Sequence, residues 1–173
     1  MTGVQQSVVV EPHDGSLGAL LRVADDRLGP GESYGAHDHR AVDVVAVVVA
    51  GSVVHAWGDG TTMRAGDIGV LRAGSGLRHD ERAGPDGARV LQCYLRPAEA
   101  DAPASHEVVR GPVGWVGLGR SDARLWMGAA GGDVPDGLVL AVRADGVEVD
   151  GDVAGAGVVL VWQLDATRPA WAG

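Results

Sequence analysis

Phenylalanine and lysine are both absent from the 173 residues, and cysteine occurs once. Each absence narrows the fold or the function. Without Phe the core has to rest on Val, Leu and Ala, with five Trp for bulk. Without Lys the fourteen basic residues are all Arg, scattered rather than striped, against twenty-three acidic ones. The resulting net charge of −9 and isoelectric point near 4.9 argue against nucleic acid or an anionic membrane as a direct partner. A lone Cys93 excludes an internal disulfide, which fits a reducing cytoplasm. Long apolar runs are lacking as well. The longest, Val44 to Ala50, falls far short of a membrane span, and "MTGVQQSVVVEPHDG" has no basic leader. The expectation is a soluble, cytoplasmic protein.

What the chain does have is valine and glycine. Hydrophobic residues make up 46%, enough to bury a core, and 28 residues are Gly. β-Branched Val suits a pleated surface better than a helix. Short apolar stretches such as "VDVVAVVVAG", "SVVHAWGDG", "DIGVLRAG", "GLRHDE" and "ARVLQCYLRP" read as successive strands. "GPGE", "GDGTT", "RAGD", "RAGSG" and "AGPDG" supply the turns between them. No segment reads as a convincing helix. The pattern predicts an all-β sandwich or barrel. A Pro-, Ala- and acid-rich stretch, "RPAEADAPASHE", divides the chain, giving an N-terminal domain over 1–100 and a C-terminal one over 101–173.

Chemistry is concentrated in the first half. His37 and His39 are i and i+2, so on a strand both imidazoles project to one face. His79 and Glu81 repeat that arrangement. Two strands each offering two donors could form a cage of three His and one carboxylate, a mix suited to Fe, Mn, Ni, Cu or Zn. Continued alternation would bring Asp43 to the face of His37 and His39, followed by a wall of Val45, Val47 and Val49. Glu81 or Asp43 is then a candidate catalytic base.

The spacing Gly31–His37–His39–Asp43, followed by Gly66, Arg72, Gly76 and His79, resembles the two cupin motifs, with Asp43 where Glu is usual and Arg72 where Pro is usual. "AHDHRAVDVVAVVVAGSVVH" and "MRAGDIGVLRAGSGLRHDE" are similar to the pirin branch of the cupins, over roughly residues 17–96. The resemblance implies a cupin-type β-barrel (double-stranded β-helix, or jelly roll) and a bicupin whose second barrel is reduced or completed by a neighbouring subunit. It implies His37, His39, His79 and Glu81 as metal ligands, most often to iron. Some relatives show quercetin 2,3-dioxygenase activity, and others resemble nuclear cofactors whose iron state regulates partner binding.

Four readings follow. The first is an oxygenase acting on a flavonol or another enol-bearing aromatic. The second is a non-catalytic metal- or redox-responsive binding module. The third is a cupin with non-oxidative isomerase or lyase chemistry, and the fourth a metal-free small-molecule binder. By analogy with cupins a homodimer is expected. Other residues are assigned secondary roles: His55, whose cross-strand position could bring it to the pocket, as a half-exposed strand histidine, His13 and His106 as solvated loop residues, Arg40 in a structural salt bridge, Arg78 as a guard of the mouth, and Cys93 as a buried thiol.

Overall fold

The computed structural model describes residues 3–165. Among them every regular element is a strand, as the Val-rich, Gly-punctuated sequence predicts. No helix there is long and apolar enough to cross a membrane.

The first sheet has eight strands: β1 (Gln5–Val10), β2 (Leu20–Leu28), β3 (His37–His39), β4 (Asp43–Ala56), β5 (Thr61–Arg64), β6 (Ile68–Arg72), β7 (Leu77–Leu95) and β8 (Ser105–Val109). Its main path runs β1-β2-β7-β4-β6-β8, with β3 paired to β7 and β5 to β4. The second sheet holds β9 (Gly114–Val116), β10 (Ala123–Gly128), β11 (Leu138–Val142), β12 (Val147–Val149) and β13 (Val158–Leu164), in the order β12-β11-β13-β10-β9. All pairings are antiparallel. The expected boundary at residue 100 falls before β8, which pairs with β6 of the first sheet.

Two pairs of stretches read as successive strands are continuous. "AVVVAG" and "SVVHA" form one strand, β4, and "GLRHDE" and "ARVLQCYL" form another, β7. These two long strands pair along most of their length, Asp43 opposite Leu95 and Ala56 opposite Asp80. Their ladder is interrupted where Gly51 pairs with Ala88 but Val53 pairs with Ala83, so residues 84–87 bulge out against the single residue Ser52. A second irregularity separates Val48 from Ala50. Bulges bend a strand and shift which side chains face in. Here they curl both strands around the first barrel.

That shift divides the apolar residues between two cores. Before the bulges, Val45 and Val47 of β4, with Leu91, Cys93 and Leu95 of β7, pack against Leu125, Leu140, Leu160 and Trp162 of the second sheet. Ala46, Val48 and Val90 instead face the interior of the first barrel, alongside Leu28, Val53, Met63, Ala83 and Ala88. The two sheets are also joined by charge. Arg89 grips Asp25 through Nε and Nη2 at 2.8 and 2.7 Å, and donates to the carbonyls of Arg143 and Gly146 in the β11–β12 turn.

Candidate metal centre

The interior of the first barrel is apolar at one end and crowded with imidazoles at the other. Strand β7 runs between two neighbours there. On one edge lies the segment from Gly31 to His39, held by Ala83 N–H to the Glu32 carbonyl, Tyr34 N–H to the Glu81 carbonyl, and the β3 ladder. On the other edge lies the last part of β4. His37 sits directly opposite His79, and His55 directly opposite Glu81. Direct partners on one face of an antiparallel pair have Cβ atoms about 4.5–5.5 Å apart. The register alone therefore gathers His37, His39, His55, His79 and Glu81 on one wall.

One ligand-type nitrogen from each of His37, His39 and His79 lies within 4.8 Å of the other two. His37 Nε2 and His39 Nε2 are 3.1 Å apart. Two nitrogens each about 2.1 Å from one ion and at right angles to each other would be separated by about 3 Å. His37 Nδ1 donates to the Gly35 carbonyl at 2.7 Å, which leaves its Nε2 lone pair for a ligand. His79 Nε2 is buried and has no hydrogen-bond partner in the protein. A buried, unpartnered ring nitrogen on an imidazole packed beside two others is the arrangement a divalent transition metal fits.

Burial favours the neutral form of the His39 and His79 rings, as ligation requires. Burial, reinforced by neighbouring imidazoles, depresses His79 to about 3. Burial and the adjacent His37 lower His39 as well. Glu81 lies on the same inward face of β7 and is also buried. It is not one of the three convergent donors, and its Oε2 accepts from Gln92 Nε2 at 2.9 Å. Desolvation pushes its carboxyl up to about 7, while the Gln92 hydrogen bond acts the other way. Beyond it, Asp26 accepts from the Tyr34 hydroxyl at 2.7 Å and from Gln6 at 3.2 Å.

Asp43 does not continue the face of His37 and His39. Strand β3 stops at His39, Ala41 takes a left-handed φ of 49°, and β4 starts afresh at Asp43. Alternation does not carry across such a break. Asp43 points with Val45 and Val47 towards the second sheet, where Arg120 and the Ala98 N–H bind its carboxylate. The barrel wall consequently contains Ala46 and Val48 rather than Val45, Val47 and Val49.

Two histidines expected to be peripheral are internal. His55 is 1% exposed, and its Nε2 lies 2.7 Å from His79 Nδ1. His106 is half-buried on β8, its ring stacked on His55 with centroids 3.8 Å apart. The signal that could have found His55 is its place on the far flank of a strand pairing with "LRHDE". His106 carries no such signal, because its contact crosses the barrel interior. Arg78 is exposed and ties β7 to β3 through Asp38 at 2.9 Å. Cys93 is buried as expected, and His13 is exposed.

The pirin family model matches residues 8–95, which is half of the chain and contains the three imidazoles. The chain belongs to the pirin family. A pirin-like protein of Caulobacter vibrioides is 32% identical over 90 residues, covering 50% of this chain and 39% of that protein. A quercetin 2,3-dioxygenase of Escherichia coli K12 is 27% identical over 93 residues, covering 51% and 40%. This pirin thus spans about two fifths of the length of those curated relatives in its matched region. Among solved structures, the bacterial pirin YhhW from Escherichia coli in complex with nickel(II) superposes with a TM-score of 0.69 at 19% identity. That superposition covers 94% of this pirin and 92% of the other chain, and it shows that both share the cupin double-stranded β-helix fold.

Proposed function

We propose that this pirin holds one divalent transition metal on His37, His39 and His79, with Glu81 as the fourth protein ligand, and oxygenates a small enol-bearing aromatic such as a flavonol. The observation that carries the reading is the convergence of three imidazole nitrogens within 4.8 Å inside a barrel, one of them buried and unpartnered. Two relatives add support: the quercetin 2,3-dioxygenase of Escherichia coli, and the nickel(II)-bound YhhW with the same fold. Iron, nickel and the other first-row ions all suit such a donor set.

The metal, held by these side chains, would supply a Lewis acid. The remaining work falls to the protein. Gln92 holds one oxygen of Glu81, which fixes the carboxylate's orientation while its other oxygen stays available. Glu81, buried and held through one oxygen, is placed to take the proton of an enol hydroxyl. Ala46, Val48, Val53 and Ala83 belong to the buried apolar part of the same barrel. The test is oxygen uptake by metal-loaded protein with a panel of flavonols and catechols. Substrate-dependent consumption that disappears in Glu81→Gln is expected, and no consumption with any of them overturns the oxygenase reading.

A second reading keeps the metal and drops turnover, making the protein a metal-responsive binding module. It is favoured by Asp43, whose carboxylate is committed to Arg120 and is not available as a base. Partner capture that differs between metal-loaded and metal-free protein, without oxygen uptake, distinguishes it.

A further inference from the structure

A ligand histidine has two ring nitrogens, and the partner of one decides whether the other can bind a metal. For His37 that partner is the backbone carbonyl of Gly35. His79 has no carbonyl or carboxylate on its Nδ1. It has His55 Nε2, 2.7 Å away, on a different strand and itself buried.

We propose that His55, braced by His106, is a positioning residue whose Nε2 accepts from His79 Nδ1 and holds that ring so that His79 binds metal through Nε2. The inference rests on the metal site proposed above. The proton balance is strict. A metal on His79 Nε2 leaves the proton on Nδ1, which donates to His55 Nε2. His55 Nε2 must then carry a lone pair, and its own proton sits on Nδ1. That Nδ1 is buried without a protein partner. The opposite tautomer, with His55 Nε2–H donating to His79 Nδ1, would leave the proton of His79 on Nε2 and block ligation. Metal binding therefore selects one hydrogen-bond direction, and His55 is the acceptor it needs.

The surroundings hold the His55 ring in place. His106 stacks on it at 3.8 Å with the planes 22° apart. His106 in turn lies against Gly69 of β6, where any Cβ would come 3.1 Å from His106 Nε2 and 2.6 Å from Met63 Sδ. A glycine at that point leaves room for the imidazole. The chain of contacts runs from β8 across the barrel to β7, so the strand leading to the second sheet braces a ligand of the first.

The test compares His55→Phe, which keeps a flat ring for stacking but removes the acceptor, with His55→Gln, whose amide oxygen can reach the place of Nε2. Nickel(II) affinity is measured by competition with a chelator, and the cobalt(II) visible spectrum reports the ligand field. His55→Phe is expected to weaken nickel binding about 10- to 100-fold and shift the cobalt(II) bands, with His55→Gln recovering most of both. A separate measurement on the unmutated protein needs no variant to fold. In the zinc(II)-loaded form, 15N spectra should show His79 protonated at Nδ1 and coordinated through Nε2. Wild-type affinity and spectrum in His55→Phe, or coordination through Nδ1, would overturn the inference. If the wild-type chain itself binds none of these ions, the proposed metal site falls with it, a result easily told from the first.

Discussion

The guanidinium of Arg120 lies 2.8 Å from the carboxylate of Asp43, and neither side chain reaches solvent to any extent. Arg120 also chelates Asp122 and donates to the Arg96 carbonyl at 2.9 Å, so it clamps the second sheet to the end of the first. Removing one member of a buried pair strands the other charge, which costs roughly 3–5 kcal/mol. Arg120→Ala is thus expected to lower the unfolding free energy, measured by urea titration, by that amount. Asp43→Asn should also destabilise, yet leave metal affinity within twofold of wild type, because Asp43 faces away from the imidazoles. A tenfold loss of metal in Asp43→Asn would return this carboxylate to the site.

Gly51 marks the point where β4 passes the bulge of β7. Its φ is +68°, and an added Cβ would lie 2.0 Å from the Gly87 carbonyl oxygen. Gly51→Ala would force the two curled strands apart. A loss of about 3 kcal/mol or more is expected in equilibrium unfolding. A loss below 1 kcal/mol would mean that the bulge adjusts freely.

Asp26 is fully buried, and desolvation raises its carboxyl above the ordinary 3.8 despite hydrogen bonds from Tyr34 and Gln6. The folded state therefore holds this proton more tightly than the unfolded chain. The stabilisation is complete below 3.8 and is lost as pH rises through the higher native value. Asp26→Asn removes the titration and keeps an acceptor for Tyr34. The stability of the variant relative to wild type should accordingly climb as pH is raised from 3.8 towards neutrality, measured by denaturant melts at each pH. A difference that stays flat across that range contradicts the raised value.

Much of the site was legible because it depends on period-2 geometry over short distances. His37 and His39 share a face of β3, His79 and Glu81 share a face of β7, and the ladder places the pairs opposite each other. The all-β fold followed from Val, Gly and the turn residues. Alternation failed where the backbone departs from a straight strand. The left-handed Ala41 resets the face before Asp43, and the bulges near Ser52 swap the inward positions of β4, turning His55 into the barrel. "AGPDG" has turn composition but forms the wide side of a bulge. His106 was missed for a different reason: its stacking on His55 joins strands that are not neighbours in the sheet, and local sequence carries no trace of it.

The central claim is tested most directly by titrating chelator-stripped protein with nickel(II), beside His37→Ala and His79→Ala variants of verified fold. The account predicts one ion per wild-type chain and a loss of at least about 100-fold in affinity for each variant, since each removes one of three convergent imidazoles. A wild-type chain that takes up no stoichiometric ion, or a His79→Ala variant that binds as tightly as wild type, would contradict it.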